Sequence, residues 1–197
     1  MIYVLPGMGA SSKMYTSFKA WNSLENIKFL DWPAWKGEKS LADIAESIIE
    51  ANNIDSQDII AGSSLGGMVA LEIAQKTKAK KAILIGSAVS RVEVNKFLIT
   101  IAPIAKITPI KYIQSLTGKS GGDFMEMFSL VDAEFIRHMC LAVNKWAGVD
   151  YENTERIHGT KDRVIKCPEN AQPVHGAGHL VSMTHPDECV SIFRKLI

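Results

Sequence analysis

The chain has 197 residues, enough for one domain with a sizeable core and short for two. Hydrophobic residues at 47% and charged residues at 22% describe a soluble globular protein, and a formal net charge of +1 argues against a nucleic-acid binder. Cys140, Cys167 and Cys189 match no zinc spacing and no disulfide framework, and no apolar stretch reaches the about eighteen residues of a membrane span. The expectation is a reduced, cytoplasmic protein with the cysteines as buried fillers.

Ile2-Tyr3-Val4-Leu5 is a continuous apolar run, expected of a strand buried on both faces of a parallel sheet and not of a signal peptide. The turn from Pro6 to Ser12 either simply ends that strand or offers a backbone amide to a reacting group. A short helix is predicted over Met14 to Trp21 and a second strand over Ile27 to Leu30, ending at Asp31-Trp32-Pro33. Ser40 reads as the N-cap of a helix over Leu41 to Asn52, with Asp43 as its capping-box partner. A third strand, Ile59 to Ala61, runs into Gly62-Ser63-Ser64-Leu65-Gly66, and a helix is predicted from about Gly67 to Lys76. Ala82 to Ser87 forms a fourth buried strand.

This alternation of strand and helix is the pattern of a parallel α/β sheet. It breaks between about Arg91 and Asn153, where helical segments are predicted over Val94 to Ile101, Ile110 to Leu116, Asp123 to Phe128 and Asp132 to Trp146. Such an insert suits a cap over the C-terminal edge of the sheet, although a crossover helix with a long loop would have the same pattern. Strands then resume at Glu155 to Gly159 and Gln172 to Gly176, with room between them for little more than a turn near Pro168 to Asn170. An amphipathic helix over Pro186 to Leu196 follows.

The stretch with the strongest chemical content is Gly62-Ser63-Ser64-Leu65-Gly66. A serine at the tip of a very tight strand-to-helix turn needs hydrogen-only neighbours where backbones close up, which Gly62 and Gly66 supply. The helix behind it directs N-terminal amides toward the serine, where negative charge develops in acyl transfer. Gly-x-Ser-x-Gly is also a common turn, so its meaning depends on partners elsewhere in the chain.

Those partners follow in order. Pro6-Gly7-Met8-Gly9 resembles the His-Gly-x-Gly oxyanion turn of the α/β-hydrolase family, with Pro6 where histidine is usual. The Ser64 motif resembles that family's nucleophile elbow. His158-Gly159-Thr160-Lys161-Asp162 resembles its acid loop, and Gly176-Ala177-Gly178-His179 its histidine loop. The resemblance covers nearly the whole chain and is thinnest across the insert. It implies a single α/β-hydrolase domain over 1–197, with a helical cap insert over about 91–153. The sheet would be mostly parallel, with about six strands, because the two antiparallel strands usual ahead of the oxyanion strand are missing. The stretch after Asp31 departs from the family's Asp-x-Pro-Gly-x-Gly-x-Ser, since Ala34-Trp35-Lys36 interrupts it.

The resemblance implies Ser64 as nucleophile, His179 as base, Asp162 as the acid that orients it, and the amides of Met8 and Leu65 as the oxyanion hole. Ser63 is a rival serine outside the motif's centre. His158, His175 and His185 compete with His179, with a structural hydrogen bond the expected job of His158, and Asp187 is a distant competitor to Asp162. No cofactor or metal is implied, and the expected partner is a small-molecule acyl substrate. Ester hydrolysis is expected first and thioester hydrolysis next. A carbon–carbon bond hydrolase, a cofactor-free lyase or a catalytically silent binding module would keep the same scaffold.

The insert is unusually apolar, and Met125, Met127 and Phe128 are its expected substrate-binding side chains, although packing on the sheet alone would demand apolar residues too. A moderately sized acyl or alkyl group suits such a surface better than a sugar or peptide. Nitrophenyl esters of medium-chain acids are therefore expected to turn over faster than nitrophenyl acetate. Equal or reversed kcat/KM values would sink that expectation.

Overall fold

The computed structural model describes residues 1–95 and 133–197. Six strands form one sheet: β1 (Ile2–Leu5), β2 (Ile27–Phe29), β3 (Ile59–Ser63), β4 (Lys81–Ile85), β5 (Thr154–Gly159) and β6 (Gln172–Val174). Their spatial order is β2-β1-β3-β4-β5-β6, and every neighbouring pair runs parallel. The central register places Val4 beside Ala61 and Ala61 beside Ile83. The central strands β1, β3 and β4 read as largely apolar runs because both faces are covered.

Side chains alternate between two cores. Tyr3, Leu5, Ile60, Ala82 and Leu84 pack with α3 (Leu41–Asn52), α4 (Leu65–Thr77) and α5 (Ala133–Lys145). Val4, Ala61, Ile83, Ile85 and Ile157 face the other way, toward α1 (Lys13–Thr16), α2 (Lys19–Asn22), α6 (Val181–Thr184) and α7 (Pro186–Leu196). Burial of these apolar side chains on both faces, at about 25 cal/mol per Å², supplies the main stabilising term. Among the described residues no helix is long and apolar enough to cross a membrane.

Local chemistry accounts for the helix boundaries. At α3, the Asp43 amide donates to Ser40 Oγ at 3.1 Å and the Ser40 amide to Asp43 Oδ2 at 3.0 Å, the reciprocal capping box. The helix expected over Met14 to Trp21 is instead two single turns, α1 and α2, because Phe18 is extended between them. That break lets Tyr15 and Trp21 meet edge-on, with ring centroids 5.0 Å apart. α4 begins at Leu65, two residues ahead of the expected start. No helix starts at Val94: it is extended, pairs with Ile165, and is followed by an Asn95 amide that donates to the Val164 carbonyl at 2.9 Å. The rest of that segment, the segments over Ile110 to Leu116 and Asp123 to Phe128, and with them Met125, Met127 and Phe128, lie outside the described residues. α5 matches the last expected helix closely. It packs on the loops after β1 and β2, where Phe135 meets Trp32 and His138 stacks on Trp35.

Connections leave β1 and β3 in opposite directions. β1 leads through α1 and α2 to β2 on one side, and β3 leads through α4 to β4 on the other. The crevice between the C-terminal ends of β1 and β3 is thus a topological switch point, the place where open α/β sheets bind ligands. The backbones there are close. A β-carbon on Gly62 would lie 2.3 Å from the Gly66 carbonyl, and one on Gly66 would lie 2.4 Å from the Pro6 oxygen. Gly62→Ala and Gly66→Ala should each lower the unfolding free energy by about 2 kcal/mol or more. Gly178→Ala is the control, since its β-carbon would meet nothing within 4 Å. Urea denaturation checks this, and equally small effects at all three positions would contradict the close approach.

Candidate active site

Ser64 stands at the junction of β3 and α4 with φ 51° and ψ −118°, a conformation that costs an L-residue roughly 1–3 kcal/mol. Its neighbours hold it there. The Ser64 amide donates to the Ile85 carbonyl at 3.0 Å, and the Ser64 carbonyl accepts from the Gly67 amide at 3.0 Å and from Ser87 Oγ at 2.6 Å. The outcome is a hydroxyl thrust out at the C-terminal edge of the sheet. Ser63, one residue earlier, turns its hydroxyl into the opposite core, 2.7 Å from the Tyr15 hydroxyl and 3.3 Å from Ser182 Oγ.

His179 Nε2 lies 2.9 Å from Ser64 Oγ, and His179 Nδ1 lies 2.9 Å from Asp162 Oδ2. A carboxylate only accepts, so the proton sits on Nδ1 and Nε2 is left to accept from the serine hydroxyl. The Asp162 side chain is fully buried, near the start of the loop after β5. Its Oδ1 accepts from the amides of Val164 at 2.8 Å and Ile165 at 3.0 Å, which fixes the carboxylate plane. Its Oδ2 is shared, because His158 Nε2 also approaches to 3.1 Å while lying 2.9 Å from the Ile165 carbonyl. Burial pushes the Asp162 pKa up, but hydrogen bonds from His158, His179 and the Ile165 amide outweigh it and hold the group well below the ordinary carboxylate range.

The other competitors are elsewhere. His175 is exposed after β6, His185 precedes α7 with Nδ1 3.0 Å from Thr184 Oγ1, and Asp187 is exposed in the first turn of α7. Among the described residues the amides of Met8 and Leu65 donate to no protein acceptor; Leu65 is the first residue of α4, so its N–H has no helical partner. Cys140 and Cys189 are buried, as expected of fillers, whereas Cys167 is only half-buried. Burial pushes the Cys140 thiol up to about 11.

No protein-family model matches the sequence, and neither does any curated protein. Solved structures do match. A lipase-esterase related protein from Clostridium acetobutylicum superposes with a TM-score of 0.75 at 12% identity, over 100% of this chain and 93% of that one. The esterase RhEst1 from a Rhodococcus species gives 0.72 at 17% identity, over 98% and 88%. The RedJ thioesterase of the prodiginine pathway of Streptomyces coelicolor gives 0.69 at 12% identity, over 100% and 89%. The chain has the α/β-hydrolase fold.

Within that fold, several positioning groups escape a reading of the sequence. Gly86, just past β4, has φ 54°, and a β-carbon there would lie 2.8 Å from the His179 carbonyl. A β-carbon on Gly159 would meet the Gly178 carbonyl at 2.4 Å, so the acid and histidine loops touch backbone to backbone. Beneath the α/β-hydrolase elbow, the Tyr15 hydroxyl donates to the Leu5 carbonyl at 2.8 Å and can accept from Ser63. Trp21 Nε1 donates to the Ser182 carbonyl at 2.9 Å, tying α2 to the segment behind His179. Gly159 stands inside the acid-loop motif, whereas Gly86, Tyr15 and Trp21 carry no distinctive pattern to read.

Because the folded-state pKa of Asp162 is depressed, its stabilising contribution is complete above the unfolded-state value, ordinarily 3.8, and is lost as pH falls toward the folded value. The stability difference between the parent and Asp162→Asn should therefore be flat above about pH 5 and shrink below about pH 4. Urea titrations at graded pH measure it. A difference that stays flat to pH 2 would contradict the carboxylate's environment.

Proposed function

We propose that the protein is a serine hydrolase that cleaves carboxylic esters or thioesters of small-to-medium apolar acyl groups through an acyl-enzyme. The observation that carries this reading is His179 bridging Ser64 Oγ and Asp162 Oδ2, at 2.9 Å on each side. The esterases and thioesterases among the structural neighbours support ester chemistry at the level of the fold.

In this reading Ser64 Oγ attacks the carbonyl carbon while its proton passes to His179 Nε2. Asp162 stays ionised and stabilises the imidazolium through Nδ1–H. The carbonyl oxygen becomes an oxyanion, stabilised by the amides of Leu65 and Met8, and the N-terminus of α4 adds its dipole. His179 then returns the proton to the leaving alcohol or thiol as the tetrahedral intermediate collapses to an acyl-serine. A water deprotonated by His179 attacks the acyl carbon, and the acid leaves with Ser64 regenerated. Each donor in the oxyanion hole typically contributes about 3 kcal/mol of transition-state stabilisation.

A fluorophosphonate probe should label the parent at Ser64 and leave Ser64→Ala unlabelled. Asp162→Asn should lower kcat on a reactive ester by about 10⁴, because an amide cannot impose the same tautomer on His179. Mass spectrometry of the adduct and steady-state kinetics check both. Equal labelling of Ser64→Ala would overturn the assignment, and an unlabelled parent would favour a silent binding module.

A further inference from the structure

Ala34-Trp35-Lys36, where the sequence departs from the family's motif, builds a feature of its own. Trp35 and its neighbour Trp32 wall a cleft of about 500 Å³ at the C-terminal ends of β1 and β2, within the usual range of small-molecule sites. Phe135 of α5 closes it, its ring centroid 5.2 Å from that of Trp32. Both indole N–H groups are already committed. Trp32 Nε1 donates to the Gly7 carbonyl at 3.0 Å and Trp35 Nε1 to the Glu38 carbonyl at 3.1 Å. The indoles therefore offer the cleft ring surface and no donors.

One buried polar group in the lining is uncommitted. Ser11 is 7% exposed and lines the cleft, and its hydroxyl has no hydrogen-bond partner among the described residues. A buried hydroxyl without a partner costs about 1–3 kcal/mol, a cost that a ligand's polar atom would remove. The other polar residues of the lining, Ser12, Lys13 and Asp31, are half-buried or exposed, and the Ser12 amide donates to Asp31 Oδ1 at 2.7 Å. A flat ring with a single polar substituent fits both the aromatic walls and Ser11.

The position of the cleft says which part of a substrate it meets. Its lining includes none of Ser64, Asp162 and His179, but it is one residue removed from the nucleophile: Trp32 Nε1 donates to the Gly7 carbonyl, and a β-carbon at Gly7 would be 3.8 Å from Ser64 Cβ. It lies on the β1–β2 side of β3, whereas the acid and histidine loops follow β5 and β6 on the other side. His179 has to reach the leaving atom to protonate it, so the leaving group belongs on the side of β4 to β6. The other substituent of the carbonyl carbon, the acyl group, then points toward the cleft.

We propose that the Trp32–Trp35–Phe135 cleft is the acyl subsite and that it takes an aromatic acyl group with a hydrogen-bonding ring substituent for Ser11 Oγ. This rests on the hydrolase reading above and narrows its substrate class. The test compares kcat/KM for nitrophenyl esters of 4-hydroxyphenylacetate, phenylacetate, hexanoate and acetate, in the parent, Trp35→Ala and Ser11→Ala. The parent should prefer the hydroxyphenylacetyl ester to the hexanoyl ester by about tenfold or more. Trp35→Ala should erase that preference. Ser11→Ala should lower the hydroxyphenylacetyl rate about tenfold, to the phenylacetyl level.

Turnover of the acetyl ester without an aromatic preference, or with a preference indifferent to both substitutions, would overturn the subsite and leave the hydrolase reading intact. With no turnover and no probe labelling, the hydrolase reading fails. Calorimetry with 4-hydroxyphenylacetamide then decides the cleft alone. Binding weakened about tenfold by Trp35→Ala would support an aromatic site, and no binding to the parent would overturn it.

Discussion

The backbone of Ser64 sits where an L-residue does not rest unaided, and much of the surrounding structure exists to hold it there. Its amide is spent on the β4 carbonyl of Ile85, and its own carbonyl is gripped by the Gly67 amide and Ser87 Oγ. The bonds to Ile85 and Ser87 tie the turn to β4 and the residues just after it. The glycines on either side let β3, α4 and the turn after β1 approach closer than any side chain would permit. A strained residue persists only when its surroundings over-determine it. The same close approach brings the Pro6-Gly7 turn beside the serine, so one constraint sets both the hydroxyl and the turn next to it. It then spreads along β4, where Gly86 leaves space for the His179 carbonyl.

That constraint was written plainly in the sequence, because a residue type is dictated wherever atoms are 2–3 Å from a missing β-carbon. The buried strands were legible for a related reason: double-sided burial demands unbroken apolar runs, and Ile2–Leu5 and Ala82–Ile85 have them. α3 announced itself through Ser40 and Asp43. The failures share a cause in tertiary contact. Val94 is extended because of Ile165, some seventy residues away, and nothing near Val94 signals that pairing. Phe18 breaks a helix so that Tyr15 and Trp21 can share a core with Phe193. Ser63 looked like a spare nucleophile because sequence carries no direction, whereas successive side chains on a strand point to opposite faces. The order Ser64, Asp162, His179 was readable, but their meeting depends on loops after β3, β5 and β6 folding over one edge.

The sharing of Asp162 between two histidines bears on where a proton can go. A carboxylate offers about four lone-pair sites, and here Val164, Ile165, His158 and His179 direct donors at all of them. His158 Nε2 faces two acceptors, the Asp162 carboxylate and the Ile165 carbonyl, so it carries a proton. Its Nδ1 is buried with no partner among the described residues. A carboxylate so fully engaged is a poor base: taking up a proton would cost it at least one of these bonds. In the proposed reaction the proton leaving Ser64 therefore stops at His179, and Asp162 acts by orientation and charge. His158 then belongs to the acid and not to the base. It strengthens the carboxylate's hold on its charge from a position that never touches the substrate.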